Sequence, residues 1–302
     1  MVRNVFVAVV MAAVVVGTGA CGATTSAGRA GAINVVAGQN FWGSIAAQLG
    51  GTKARVQSVV TDPNVDPHEY ASNTNDARAF AEADLVILNG AGYDDWGQKL
   101  LDANQSSHRL VLNVAKLLGK KAGDNPHFWY DPAYVVKVAD SITSEYKAID
   151  SGDAAYFDQR RSDFAAALKP YLERIAEIRT KFAGVPVGST ESIFVYMATA
   201  LGLNLISPAE FMTAVAEGND PPAQAVVAFQ NQITGKQVKV LVYNVQTATA
   251  VTTNVKHMAA AADIPIVGVS ETLQPETITF QDWQLAELIT MENQLNSTAL
   301  SK

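Results

Sequence analysis

The sequence predicts an α/β protein of two lobes, each a small parallel sheet with flanking helices, joined by one long helix. Short β-rich runs alternate with helical runs in both halves of the 302-residue chain, which indicates βαβ units and parallel pairing. The run Leu85-Val86-Ile87-Leu88 is continuously apolar, as expected of a strand buried on both faces. Between the halves, residues 153–182 lack glycine and carry a helical stripe of apolar side chains.

The N-terminus is typical of an export signal. The apolar run Val5–Val16 is about a dozen residues long, too short to span a bilayer. Small residues then lead to Cys21, the only cysteine, which excludes an internal disulfide. The segment resembles a lipobox with lipid on Cys21, although Thr18 stands where Leu is usual. We expect a signal peptide at 1–21 and a flexible tether at 22–31; an ordinary signal with an incidental cysteine is the alternative.

The first lobe is expected at 32–152 and alternates strands with helices. The strands are expected at Ile33–Ala37, Arg55–Val60, Asp84–Asn89 and Leu110–Asn113. The helices are expected at Phe41–Leu49, Thr74–Ala83, Asp94–Ala103 and Pro132–Tyr146. In such open parallel sheets, ligands bind at the carboxyl ends of the strands, where loops lead into helices.

The linking helix is expected at 153–182. Its only proline, Pro170, is expected to bend the helix or mark a break. Unbroken, about 30 residues at 1.5 Å each reach roughly 45 Å, enough to run across two lobes.

The second lobe, expected at 183–302, repeats the order of the first without repeating its sequence. The strands are expected at Val185–Gly188, Leu203–Ile206, Val238–Tyr243 and Ile264–Val269. The helices are expected at Glu191–Leu201, Pro222–Ile233, Thr247–Ala262 and Gln281–Asn296.

Composition narrows the class of protein. Hydrophobic residues make up 48% of the chain and charged residues 17%, which fits a soluble globular protein. The formal net charge of −7 argues against nucleic-acid binding, which needs a basic face.

Four candidate metal ligands lie after predicted strands. His68 and His127 each follow a proline in a first-lobe loop, and proline stiffens the backbone that carries the imidazole. Glu191 and Glu271 follow strands of the second lobe almost directly. Two imidazoles from one lobe and two carboxylates from the other are therefore expected to face one interlobe cleft.

Each residue also has an ordinary explanation. His68 suits a solvated turn, and His127 lies among aromatic residues where a packed, hydrogen-bonded histidine is common. Glu191 suits the positive end of a helix dipole, and Glu271 alone is a loop acid. The placement of all four residues after predicted strands favours a metal site over these separate explanations. The remaining histidines lie beside basic residues and are interpreted as solvated: His108 and His257.

Three segments carry a family resemblance. They are Asp66-Pro67-His68-Glu69-Tyr70, Asn125-Pro126-His127-Phe128-Trp129-Tyr130-Asp131-Pro132 and Glu191-Ser192-Ile193-Phe194-Val195-Tyr196. Together they resemble the cluster A-I metal-binding proteins of bacterial ABC importers, the zinc and manganese solute-binding lipoproteins. The resemblance covers nearly all of the chain after the signal. It implies two α/β lobes joined by a long rigid helix, with Glu271 at the place of a fourth, acidic ligand.

The resemblance also implies a function. The chain is expected to be an extracytoplasmic solute-binding protein, lipid-anchored to the cell membrane through Cys21. It would capture Mn2+ or Zn2+ through His68, His127, Glu191 and Glu271 and deliver the ion to an ABC permease. A monomer without enzymatic activity is expected.

The sequence departs from the usual pattern of the family in several places. Ser72 stands near a usual proline, Tyr243-Asn244 replaces a common acid, and Glu271 replaces the more frequent Asp. The chain also lacks the histidine-rich loop of many zinc members.

The donor set bears on the cargo and on the alternatives. Two neutral imidazoles and two carboxylates give a divalent ion zero net formal charge, which lowers the cost of burying it. Carboxylates that chelate with both oxygens suit manganese, so manganese is favoured and zinc comes next. A metal-dependent hydrolase and a surface adhesin or passive metal store stay open. A hydrolase would keep a position free for water, and neither His-Glu-x-x-His nor Gly-x-Ser-x-Gly occurs in the chain.

Overall fold

The structure, a computed structural model, describes Met1, residues 31–64 and residues 66–300. The predicted signal peptide after Met1, the lipidation site at Cys21 and the tether up to residue 30 lie outside the described residues. Within the described part of the chain, no helix combines the length and hydropathy needed to cross a bilayer.

Four parallel strands form the sheet of the first lobe, in the order β2-β1-β3-β4. Their bounds are Ile33–Gln39 (β1), Ala54–Val60 (β2), Leu85–Leu88 (β3) and Leu110–Asn113 (β4). The helices are Asn40–Gly50 (α1), Thr74–Glu82 (α2), Asp95–Ala103 (α3), Val114–Leu118 (α4) and Pro132–Ile149 (α5). All four residues of β3 are buried, as their apolar run predicts.

One helix, α6 at Ala154–Phe182, connects the two halves. Its buried residues repeat at helical spacing and are Phe157, Phe164, Leu168, Tyr171, Ile175, Ile178 and Phe182. Pro170 was expected to bend the helix or mark a break; the break is wrong, because α6 continues through Pro170, and the bend stays a prediction. Pro170 and Ala166 are both exposed, so the carbonyl that loses its helical partner is on the face that water reaches. At 1.5 Å per residue, the 29 residues span about 44 Å.

The second lobe repeats the topology of the first, with strand order β6-β5-β7-β8 and parallel pairing throughout. Its strands are Pro186–Ser189 (β5), Asn204–Leu205 (β6), Val240–Asn244 (β7) and Ile266–Val269 (β8). Its helices are Val195–Ala200 (α7), Ala209–Ala216 (α8), Ala223–Thr234 (α9), Ala250–Ala261 (α10) and Phe280–Leu300 (α11). The predicted fold class is confirmed, and the lobe limits 32–152 and 183–302 stay a prediction.

A continuous core ties the lobes to the linking helix. The same hydrophobic cluster contains Ile33 of β1, Phe164 of α6 and Val187 of β5. Because α6 packs into this cluster, it is a structural member of both lobes rather than a free tether. The carboxyl ends of both sheets therefore have a fixed relation to each other, and the candidate site lies between them.

Candidate metal centre

His68 is held by a short turn after β2. Pro67 opens a single 3₁₀ turn at Pro67–Glu69, and Asp66 Oδ1 accepts a hydrogen bond from the backbone N–H of His68 at 2.9 Å. Proline pre-sets the turn and the Asp66 side chain caps it, so the local sequence fixes the direction of the imidazole. The side chain is 20% exposed, which leaves one edge of the ring in contact with solvent.

His127 is fully buried and is clamped by Asn125. The Asn125 Oδ1 atom lies 2.7 Å from His127 Nδ1 and 3.1 Å from the backbone N of His127. Asn125 Nδ2 donates to the carbonyl of Ser192 at 2.8 Å, which fixes the orientation of the amide. Because Oδ1 only accepts, Nδ1 must carry the proton, and Nε2 keeps its lone pair free to bind a metal.

Both carboxylates follow strand ends of the second lobe and are fully buried. Glu191 comes two residues after β5, and Glu271 comes two residues after β8. Glu191 lies just before the 3₁₀ turn Ser192–Phe194, so the helix predicted from Glu191 begins instead as this tighter turn and continues as α7.

The structure brings the four predicted residues to the interlobe cleft. His68 Nε2 lies 3.4 Å from Glu271 Oε2, and His127 Nε2 lies 3.9 Å from the same oxygen. His127 Nε2 also lies 3.4 Å from Glu191 Oε1. Donor atoms of His68, His127 and Glu271 lie within 4.8 Å of one another, and Glu191 joins this group through His127. Neither Nε2 atom has a hydrogen-bond partner among the described residues, which suits a metal-binding nitrogen.

Two further side chains hold the carboxylates from outside. The Tyr93 hydroxyl donates to Glu271 Oε2 at 2.5 Å, and the Tyr93 ring packs edge-on against His68. The Nδ2 atom of Asn244 donates to Glu191 Oε2 at 2.9 Å and to Glu271 Oε1 at 2.8 Å. A cleft of about 400 Å³, lined by His68, Tyr93 and Asn125 among others, leads from solvent to this cluster.

Comparison with known proteins identifies the family of this chain. The sequence model of the family described as "Zinc-uptake complex component A periplasmic" matches residues 35–294. The chain belongs to this family. The resemblance stated from the sequence is thereby confirmed, and so is the prediction of a binding protein rather than an enzyme.

Curated relatives are named as metal-transporter or metal-binding lipoproteins. The metal ABC transporter substrate-binding lipoprotein FimA of Streptococcus parasanguinis is 25% identical over 206 residues, 61% of this chain and 64% of the relative. The manganese-binding lipoprotein MntA of Halalkalibacterium halodurans is 26% identical over 178 residues, 57% and 56% of the two chains. The matched region thus spans less than two thirds of either relative.

Solved structures share the fold. The crystal structure of ZnuA superposes with a TM-score of 0.69 at 21% identity, covering 87% of this chain and 98% of that chain. A Cd-bound periplasmic metal binding protein from candidatus liberibacter asiaticus gives a TM-score of 0.72 at 16% identity, covering 86% and 98%.

The candidate site contains residues that the sequence patterns did not assign to it. Asn125 stands inside a motif and Asn244 ends a strand, so an Asx turn before His127 and the strand-end rule would have found them. Tyr93 has no such signal, because it lies in a turn 178 residues from Glu271. The histidines interpreted as solvated, His108 and His257, are both exposed.

The charges in the cluster are strongly coupled. Burial lowers the pKa of His127 to about 3, so this ring is neutral at physiological pH. Burial also acts against a charge on His68, but the Glu271 carboxylate outweighs it and raises the pKa to about 9. Burial and the charge of Glu271 raise the pKa of Glu191 to about 8. At neutral pH, His68 and Glu191 therefore hold protons that a divalent cation would displace.

Proposed function

We propose that this chain captures a divalent transition metal ion, manganese or zinc, in the interlobe cleft outside the membrane and delivers it to an ABC permease. His68, His127, Glu191 and Glu271 supply the donor atoms. Family membership supports the class of function, and the manganese relatives together with the zinc name of the family support these two ions.

One observation carries the proposal. Two unpartnered imidazole nitrogens and two buried carboxylates, contributed by loops from both lobes, approach one another at 3.4–3.9 Å. Buried acids and histidines at these distances need a cation or shared protons to offset the cost of burial. Four protein donors would fill a coordination sphere, as expected for capture, whereas catalysis keeps a position open for water.

We also propose how the protein is placed in the cell. Residues 1–21 act as a signal peptide, lipid on Cys21 anchors the mature monomer to the cell membrane, and residues 22–31 tether it. The lipoprotein names of the relatives support this placement. In cell fractionation, Cys21→Ser is expected to move the protein from the membrane fraction to the soluble fraction. Retention of that variant in the membrane would contradict the anchor.

Metal analysis tests the capture itself. Protein purified in detergent from its native host, without added metal, is expected to contain close to one manganese or zinc ion per chain by elemental analysis. His68→Ala and His127→Ala are each expected to lose most of this metal. The exposed histidines provide matched controls, so His108→Ala and His257→Ala should keep it. Equal metal content in all four variants would refute the site.

Delivery needs a separate measurement. Deletion of the chain in its host is expected to lower uptake of the cognate ion at submicromolar external concentration, and the wild-type chain should restore it. Restoration by His127→Ala as well would leave no role for the site in transport, and would favour an adhesin.

A further inference from the structure

Asn244 ends β7 and lies fully buried between the two carboxylates. One hydrogen of its amide nitrogen points to each acid, at 2.9 Å from Glu191 Oε2 and 2.8 Å from Glu271 Oε1. The backbone N–H of Gln246 donates to Asn244 Oδ1 at 3.0 Å. This contact fixes the orientation of the amide, so that its nitrogen rather than its oxygen faces the acids.

The two oxygens of each carboxylate therefore face different neighbours. The outer oxygen of each group, Glu191 Oε2 and Glu271 Oε1, is occupied by Asn244. The inner oxygen of each group faces an imidazole nitrogen at 3.4 Å. Each inner oxygen also accepts from a hydroxyl, Glu271 Oε2 from Tyr93 at 2.5 Å and Glu191 Oε1 from Ser192 at 3.3 Å, so what distinguishes the outer oxygens is that they face Asn244 and not an imidazole. A cation between the four residues would thus meet one oxygen from each acid and one nitrogen from each histidine.

Three separations among these donors come close to the edges of a tetrahedron. With bonds of about 2.1 Å, neighbouring ligands of a four-coordinate zinc lie about 3.4 Å apart. The separation is 3.4 Å for His68–Glu271 and for His127–Glu191, and 3.9 Å for His127–Glu271. Glu191 approaches this group through His127 and lies outside the set of donors that are all within 4.8 Å of one another. An octahedron with bonds of about 2.1 Å would bring neighbouring ligands to about 3.0 Å and would need two more donors. Those two donors would be the outer oxygens, which Asn244 holds.

We propose that Asn244 is a specificity-determining residue: it limits Glu191 and Glu271 to one oxygen each and so makes the site select four-coordinate cations, zinc over manganese. This inference rests on the proposed function and names its cargo. It reverses the preference for manganese over zinc that was expected from the donor set, because that expectation required carboxylates that chelate with both oxygens.

Two variants of Asn244 test the proposal in the full-length lipoprotein in detergent. Asn244→Asp keeps the shape of the side chain but cannot donate to the acids, and Asn244→Ala removes the amide altogether. Both release the outer oxygens. The control is Asn89→Ala, a buried asparagine just after β3, whose amide holds the carbonyl of Pro126 at 2.9 Å and touches neither acid. Loss of the Asn89 amide can loosen the loop that carries His127, but this would weaken the binding of every cation equally.

The first readout is the ratio of the affinities for Zn2+ and Mn2+, measured by competition with a chelating dye. Zinc binds more tightly than manganese at most sites of nitrogen and oxygen, so the ratio of the wild type alone decides nothing. In either Asn244 variant this ratio is expected to fall by about tenfold or more, the effect of one lost hydrogen bond to a charged group. Asn89→Ala should leave the ratio unchanged. An unchanged ratio in both Asn244 variants overturns the proposal.

The second readout is the visible spectrum of bound Co2+, for which the wild type alone already gives a decisive result. Four-coordinate Co2+ absorbs strongly and six-coordinate Co2+ weakly, so the wild type should give intense bands and the Asn244 variants weaker ones. Weak bands in the wild type overturn the inference while leaving metal capture intact. A wild type that binds neither Zn2+, Mn2+ nor Co2+ refutes the proposed function itself, so the two failures are distinguishable.

Discussion

The contact between Asn125 and His127 allows a prediction that separates metal binding from folding. Asn125 Oδ1 lies 2.7 Å from His127 Nδ1 and holds the proton there, which leaves Nε2 as the free donor. In Asn125→Ala, the proton is free to move to Nε2, the atom that faces both carboxylates. We therefore expect this variant to bind every divalent ion more weakly.

The size of the effect follows from the contacts that are lost. Partners of metal-bound histidines are typically worth about 10- to 100-fold in affinity, or roughly 1.4–2.7 kcal/mol. Asn125→Ala also removes three hydrogen bonds, to Ser192 O, His127 N and His127 Nδ1, each worth about 1 kcal/mol of unfolding free energy. Asn125→Asp keeps both acceptor contacts and loses only the bond to Ser192. Its affinity should stay within a few-fold of the wild type.

Three measurements check this reasoning. Competition titration with Zn2+ gives the affinity, urea unfolding gives the stability, and NMR of the ring nitrogens gives the tautomer of His127. Asn64→Ala is the matched control, since this exposed asparagine lies four residues before His68 and its amide donates to Asp62 Oδ1 at 3.0 Å. A folded Asn125→Ala protein with wild-type affinity would refute the account of how His127 is prepared for a metal.

Three further outcomes are expected from the fold. Pro170→Ala should raise the free energy of unfolding in urea by about 1–3 kcal/mol, because alanine restores a hydrogen bond to an exposed helix interior, and no gain would contradict this. Burial raises the pKa of Glu287 from 4.5 to about 8, so the folded state holds this proton more tightly and stability falls as pH rises through that interval. In Glu287→Gln, stability should fall less steeply with rising pH, and a slope equal to that of the wild type would contradict the role given to the Glu287 proton. Zinc at 100 times its Kd should add about 2.7 kcal/mol to stability, which a chelator removes, and equal melting temperatures would count against binding.

The sequence predicts the fold well where the pattern is long or uniform. The apolar run of β3 and the proline that opens α5 after the capping Asp131 are visible locally, and the structure has both. Two helices were missed, α4 with 5 residues and α8 with 8, because so few turns display little periodicity. The break expected at Pro170 is wrong, because a proline on the exposed face of a helix leaves the freed carbonyl to water.

The site could be predicted in its placement but not in its chemistry. Strand ends and prolines led to His68, His127, Glu191 and Glu271, because parallel strands deliver their carboxyl ends to one edge. Which oxygen of each acid faces the cleft depends on Asn244, and that depends on side-chain directions set by tertiary packing. The preference for manganese inferred from the donor set assumed that both oxygens were free, an assumption that no sequence pattern can test.

The hydrogen bonds that cross the cleft bear on how a captured ion would leave. Tyr93 donates to Glu271 at 2.5 Å, Asn125 donates to Ser192 at 2.8 Å, and the Tyr130 hydroxyl lies 2.9 Å from the carbonyl of Ser270. All three join the loops of one lobe to those of the other, so opening the cleft breaks them together. At about 0.5–1.5 kcal/mol each, these three contacts contribute roughly 1.5–4.5 kcal/mol to the closed arrangement beyond the metal–ligand bonds. Spontaneous loss of the ion to water is slowed accordingly. Under the proposed function, a permease that receives the ion would have to favour an open form by at least this amount.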